Sequence, residues 1–118
     1  MQFMIYDPNF DPENVTPPTP EMMAEMGQFI GGAIQSGVLV ATGALQEKGT
    51  RLKRTNGKFT VTDGPFIELK ELTAGFAILD VPSLEEAIAW SKRFRDIVGD
   101  GESEIVSLFG PGDFDEHA

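Results

Sequence analysis

Ionisable side chains are concentrated in one short stretch near the middle of the chain. Asp63 stands before a Gly-Pro pair, and Glu68, Lys70 and Glu71 follow within six residues of that proline. Carboxylates and an ammonium group at such spacing can hold an anion or transfer a proton. In an extended segment Glu68 and Lys70 would point to the same side, about 7 Å apart. This stretch is the first candidate for a functional site.

The same stretch has the composition of a tight corner between two strands. Asp accepts hydrogen bonds from nearby backbone N–H groups, Gly allows a positive φ, and Pro fixes φ and removes a donor. We therefore expect the Asp63 carboxylate to accept local backbone bonds or to contact Lys70. Mixed Asp, Glu and Lys are also common in exposed connections, so a purely structural corner is the alternative interpretation.

The nine residues from Asp63 to Glu71 read Asp-Gly-Pro-Phe-x-Glu-x-Lys-Glu. This segment resembles the motif of the DGPF-domain proteins of the YCII-related family, and the likeness extends from Phe3 to about Phe109. The resemblance implies a homodimer of the dimeric α/β-barrel type. It also implies a ligand-binding or regulatory role for the residues of the corner, which are Asp63, Gly64, Pro65, Phe66, Glu68, Lys70 and Glu71.

The sequence departs from the family pattern in two respects. Ile67 and Leu69 stand where smaller or more polar residues are usual, so we expect a more apolar wall beside the corner. Relatives in the wider group are thought to use a His–Asp pair, with the histidine on the first helix. Here that helix has no histidine, and the single one, His117, lies near the C-terminus. The acid–base pair of those relatives therefore does not transfer to this chain.

The length of 118 residues suits one domain, which we place at 1–109, followed by an acidic tail at 110–118. The chain has no cysteine, which excludes disulfides, thiolate metal sites and a Cys nucleophile. Neither GxxxxGK[ST] nor GxGxxG follows a strand, so we expect no nucleotide or other cofactor and no metal. A small domain without disulfides is expected in the cytoplasm.

The formal net charge of −10 argues against nucleic acid as a partner. Apolar runs are shorter than the roughly 20 residues that span a bilayer, so we expect no membrane partner. Five of the nine basic residues fall within positions 48–58, while residues 1–47 contain none. This basic ridge protects a sheet edge from aggregation, or it steers a small anionic ligand toward the corner.

Four apolar runs at 2–6, 38–42, 74–81 and 104–109 predict strands, the first three of them buried on both faces. Apolar residues at helical spacing predict two helices, one capped by Thr19 and ending before Gly37, the other capped by Ser83 and ending at Gly99. Three glycines in the first helix are expected to pack closely against the sheet. The proline-rich residues 7–20 predict an irregular connection, either a lid or a plain linker.

Residues 50–62 predict a hairpin with Asn56-Gly57 in a type I′ turn. Its register places Leu52, Arg54, Phe59 and Val61 on one face and the basic and hydroxyl residues on the other, which would face water. The whole order predicts an α+β ferredoxin-like sandwich with an inserted β-hairpin. Because the sheet is apolar on both sides, we expect a homodimer to cover the face that the helices leave open.

Three functions stay open on the sequence. The chain could be a small isomerase or lyase with Asp63 or Glu68 as the base and Lys70 holding an anionic substrate. It could instead bind a small ligand or a regulatory partner at the same corner without catalysis. In the third interpretation the corner only ties the hairpin to the sheet.

Overall fold

The computed structural model describes residues 1–11, 16–46, 48–66 and 75–110, and of Pro65 and Phe66 the backbone alone. Within these residues, two helices and six strands follow one another in an α+β order. Along the chain they are β1 (Gln2–Tyr6), α1 (Pro20–Gln35), β2 (Leu39–Gly43), β3 (Lys48–Thr55), β4 (Lys58–Phe66), β5 (Phe76–Asp80), α2 (Leu84–Val98) and β6 (Glu104–Leu108).

Four of the strands form one antiparallel sheet in the order β2-β5-β1-β6. With one helix between β1 and β2 and the other between β5 and β6, this is the ferredoxin-like arrangement predicted from the sequence. β1 and β5 lie in the centre, and β2 and β6 are the edges. The strands β3 and β4 form a separate two-stranded sheet.

Both helices pack on the same face of the four-stranded sheet. Phe3 of β1 is buried with Val81 and with Ala87 of α2, and Ala33 of α1 is buried with strand residues of β2 and β5. Phe3 lies directly opposite Leu79 in the ladder, so the two residues point to this helix-covered face together. The core is therefore one layer between the helices and the sheet.

The helix boundaries follow from the predicted caps. The Thr19 hydroxyl accepts a bond from the Met22 backbone N–H at 3.2 Å, and the Ser83 hydroxyl accepts one from the Glu86 N–H at 3.3 Å. Each bond satisfies a backbone donor that a helix start leaves unpaired. Gly37 with φ 78° and Gly99 with φ 92° follow the helix ends, as predicted.

Several predictions of burial were wrong. β2 was expected to be buried on both faces, but only Leu39 is buried, because β2 is an edge strand. The apolar stripes of the helices are also narrower than predicted, since four of their large side chains are exposed. These are Met23, Ile34, Leu84 and Ile88.

The glycines of α1 also differ from the expectation. Gly27, Gly31 and Gly32 lie on an exposed side of the helix, and a side-chain carbon added at any of them would have no neighbour within 4 Å. They therefore do not mediate close packing against the sheet within the part of the chain that the structure describes.

The predicted hairpin register is confirmed. Thr55 pairs with Lys58 and Leu52 with Val61, and the turn residues Asn56 and Gly57 have φ values of 53° and 79°. Positive φ at both central residues defines the type I′ turn. The expectation that only the polar face meets water was wrong, because Leu52 and Val61 are 65 % and 67 % exposed.

Replacing Gly31 by Ala should stabilise the protein by roughly 0.5–1 kcal/mol, because Ala costs less conformational entropy in a helix and meets no neighbour here. Urea unfolding followed by circular dichroism measures the change. Gly37→Ala is the control, since φ 78° disfavours a side chain and should cost about 1–2 kcal/mol. A Gly31→Ala protein that unfolds at lower urea than the wild type would show that this side of α1 contacts something.

Candidate functional site

The predicted Asp-Gly-Pro corner is a bulge inside a strand. β4 continues through Phe66, and the ladder pairs Thr50 with Asp63 but Lys48 with Phe66, so β4 has one extra residue between these pairs. Gly64 lies in that interval with φ 92°. A proline cannot donate to the ladder and a glycine accepts positive φ, which is the chemistry of a β-bulge. The prediction of a tight corner between strands was wrong for this reason.

Asp63 is exposed at the edge of this bulge. Its Oδ1 accepts a hydrogen bond from the Thr50 hydroxyl, at a long distance of 3.3 Å. This bond links the two strands where the register shifts. We expected Asp63 to accept bonds from local backbone N–H groups or to contact Lys70. Among the described residues, its hydrogen-bond partner is instead the side chain of Thr50 on the neighbouring strand.

Of the other predicted site residues, Gly64 follows Asp63 in the bulge. Glu68, Lys70 and Glu71 lie outside the described residues, as do the side chains of Pro65 and Phe66. The ligand-binding and catalytic roles of this segment therefore stay predictions.

A cavity that the sequence did not predict lies between the helix layer and the sheet. Its volume is about 560 Å³, within the roughly 300–1,000 Å³ of most small-molecule sites. Apolar and aromatic residues supply most of the lining, and both helices and three strands contribute. The apolar and glycine residues are Ile5, Phe10, Met26, Phe29, Ile30, Ala33, Leu39, Gly43, Ala44, Gly75, Phe76, Ala77, Leu79, Trp90, Phe94 and Val98.

Aromatic side chains connect the two helices at the cavity. The Phe29 ring of α1 lies 5.6 Å from the Trp90 ring and 6.4 Å from the Phe94 ring of α2, centroid to centroid, in tilted arrangements. Such pairs attract one another beyond their buried area. The Arg93 guanidinium lies 4.3 Å from the centroid of the Trp90 ring and 5.1 Å from that of the Phe29 ring. Arg93 is exposed, so it covers this aromatic contact on the solvent side.

Arg95 supplies the positive charge among the residues that line the cavity. It is half-buried, and its Nε donates to the Ser103 hydroxyl at 2.9 Å while Nη2 donates to the Glu102 carbonyl at 2.6 Å. Two of its five N–H donors are thereby used, and the planar fork is fixed in one orientation. A fixed guanidinium beside an apolar cavity is well suited to bind a carboxylate.

The loop after α2 is shaped around Arg95. Gly101 has φ 153°, and a side-chain carbon added there would lie 2.5 Å from Nη1 of Arg95. A side chain at position 101 would displace the guanidinium from its present position, and the positive φ there also favours glycine. The loop therefore positions the arginine together with Ser103.

Three of the remaining polar residues of the lining make hydrogen bonds to backbone groups. The buried Ser91 hydroxyl donates to the Ala87 carbonyl at 2.8 Å, and the Thr42 hydroxyl donates to the Phe76 carbonyl at 2.9 Å. Asp7 accepts a bond from the Asn9 N–H at 2.8 Å, in a turn that begins the proline-rich connection. Asp7 is the carboxylate residue of the cavity lining. Tyr6 adds a phenol to the same lining.

The sequence carried one signal for this site that pattern analysis overlooked. Ser91 and Arg95 lie four residues apart on α2, and both fall among the apolar positions of the stripe that includes Phe94 and Val98. Polar residues inside such a stripe are on the buried side of a helix, where a charged group needs partners. The partner loop, Gly99 to Ser103, follows directly.

The part of the chain described brings no three His, Cys, Asp or Glu side chains together as a metal site would need. Neither α1 nor α2 is long and apolar enough to cross a membrane.

Comparison with known families matches residues 1–109 to the YCII-related domain. The chain therefore belongs to the YCII-related family, as its resemblance to the DGPF-domain proteins implied. An uncharacterized protein of Rhizobium meliloti (strain 1021) is 34 % identical over 65 residues, which are 52 % of this chain and 52 % of that relative. The chain thus matches about half the length of this curated relative.

Asp63→Asn should change the free energy of unfolding by less than about 0.5 kcal/mol, because the exposed side chain has one long bond to a hydroxyl and Asn keeps an acceptor there. Urea unfolding measures the difference. Gly64→Ala is the matched comparison, since φ 92° should make it destabilising by more than about 1 kcal/mol. If Asp63→Asn lowers the free energy of unfolding as much as Gly64→Ala does, the Asp63 carboxylate has a structural role.

Proposed function

We propose that this YCII-related protein binds a small aromatic or apolar anion in the cavity between the helices and the sheet. The observation that carries the proposal is the Arg95 guanidinium, which is held by Ser103 and Glu102 at a cavity with aromatic walls. The walls favour burial of an apolar body, and the free donors of Arg95 favour a carboxylate at its end. Both features agree with the small anionic ligand predicted from the sequence.

The cavity also supports a role for the proline-rich connection. Phe10 of this segment lines the cavity, and Asp7 begins it with a turn. A ligand would therefore contact the start of the connection as well as the helices. Residues 12–15 of the connection lie outside the described residues, so the choice between a lid and a linker stays a prediction.

Removing the guanidinium should weaken binding of small carboxylates. Charge-assisted hydrogen bonds contribute about 1.5–3 kcal/mol, so Arg95→Met should raise the Kd of benzoate or phenylacetate by roughly 10-fold to 100-fold. The same substitution should raise the Kd of benzamide far less, because benzamide lacks the negative charge. Quenching of Trp90, the single tryptophan and a cavity residue, measures both ligands by titration.

Two control variants separate the effect of the Arg95 guanidinium from the effect of net charge. Lys92→Met removes one positive charge from an exposed position on the same helix and should leave the Kd unchanged. Arg95→Lys keeps the charge but not the planar fork, so its Kd should lie between the wild type and Arg95→Met. Equal Kd values for Arg95→Met and Lys92→Met would refute the cavity site.

The Asp63 segment is the second candidate site. Asp63 is exposed with one long bond, so most of its acceptor capacity is open to a ligand or to a substrate proton. In this alternative Asp63 or Glu68 is the base of a small isomerase or lyase and Lys70 holds the anion, or the whole segment from Asp63 to Glu71 binds a ligand without catalysis. Asp63→Asn and Lys70→Met should then abolish phenylacetate binding, whereas the cavity site predicts an unchanged Kd for both.

We further propose that the protein is a homodimer through the sheet face opposite the helices. Ala41, Ile78, Met4 and Val106 lie opposite one another across the four strands and form an apolar row on that face. Ala41 and Val106 are exposed, Val106 by 39 %, and both helices pack on the other face of the sheet. A second copy would bury it.

Sedimentation at micromolar concentration should give twice the 12.9 kDa mass of one chain. Val106→Glu places a charge in the apolar row and should shift the protein toward monomer. Leu84→Glu is the matched control, since Leu84 is 47 % exposed at the start of α2 in the helix layer. A wild-type protein that stays monomeric, or equal effects of the two variants, would contradict the sheet-face dimer.

A further inference from the structure

The hairpin of β3 and β4, called the arm below, exposes an apolar face to solvent. All its residues with described side chains are exposed, apart from Gly49 and Gly64. Leu52, Phe59 and Val61 are exposed by 65 %, 64 % and 67 %. An isolated two-stranded hairpin is marginally stable in water, so this conformation needs a surface to pack on.

The register divides the arm into two chemically different faces. Leu52 lies opposite Val61 and Arg54 opposite Phe59, so these four side chains share one face. The other face carries Arg51, Lys53 and Lys58 together with threonines. These charged and hydroxyl side chains are favourably exposed to water. The packing face is therefore a small apolar patch with one arginine near the turn.

Charge indicates what the arm packs on. The arm has five basic residues and one acidic residue, whereas the rest of the chain has four basic and eighteen acidic residues. A nucleic acid or an anionic surface would be repelled by the remainder of the molecule. A second copy of this chain is complementary, because its acidic body attracts the arm.

A matching surface exists on the open face of the sheet. On β6 the exposed Val106 belongs to the apolar row, and Glu104 lies on the same face two residues away. Asp80, the other carboxylate of this face, accepts a bond from the N-terminal ammonium at 3.5 Å. Glu104 has no such partner among the described residues, so its carboxylate is available to an arginine.

We propose that the arm of each copy packs its Leu52, Phe59 and Val61 face against β6 of a second copy, with Arg54 at the Glu104 carboxylate. The inference rests on the sheet-face dimer proposed above. A two-fold axis parallel to the strands places the β2 edge of one copy over the β6 edge of its partner, and the arm follows β2 in the chain. The contact is then made twice, once by each arm.

Neighbouring residues on opposite faces of β4 give a matched test. Val61→Asp should raise the dimer dissociation constant at least tenfold in sedimentation velocity, whereas Thr60→Asp adds the same charge to the other face and should change it less than threefold. Arg54→Glu should also weaken the dimer, and adding Glu104→Arg should restore it. Equal effects of Val61→Asp and Thr60→Asp, or no rescue of Arg54→Glu, would overturn the arm contact.

Contact can be measured directly because the chain has no cysteine. Separately purified Phe59→Cys and Val106→Cys proteins, mixed and oxidised, should form a mixed disulfide dimer, and Thr60→Cys with Val106→Cys should not. A wild-type dimer without the Phe59–Val106 disulfide would refute the arm contact and leave the sheet-face dimer standing. A monomeric wild type would refute both.

Discussion

The packing of both helices on one face of a four-stranded sheet is the constraint on which the other features depend. Phe3 and Leu79, opposite each other in the two central strands, are covered by the helices, whereas Met4 and Ile78 beside them point to the other face. The covered face encloses a cavity, and the contacts of Phe29 with Trp90 and Phe94 of α2 form part of its wall. The open face offers an apolar row without cover. The ligand binding and the self-association that we propose therefore use opposite sides of one sheet.

Much of the fold could be predicted because residues close together in the chain determine it. Thr19 and Ser83 cap their helices through bonds to residues three positions on, and Asn56-Gly57 sets the hairpin register by turn geometry alone. Such signals act over a few residues and do not depend on the rest of the chain. The ferredoxin-like class was predicted from the order of helices and strands along the chain.

Burial was predicted less well because it depends on tertiary position. Val40 belongs to an apolar run but is 53 % exposed, since β2 lies at the edge. The cavity could not be predicted because it is assembled from both helices and from strands distant in sequence. The Asp-Gly-Pro segment was taken for a corner, since its residue types favour both a turn and a bulge. Only the pairing of Lys48 with Phe66 decides between them.

The cavity as the ligand site is the central claim, and amide chemical shifts test it most directly. Titration of the ¹⁵N-labelled protein with phenylacetate should shift the amides of Ser91, Arg95 and Ser103, which line the cavity on α2 and the following loop. The amides of Thr50 and Asp63 in the arm should stay in place. Shifts confined to Thr50, Asp63 and their neighbours, with the cavity amides unmoved, would contradict the account and return the site to the Asp-Gly-Pro segment.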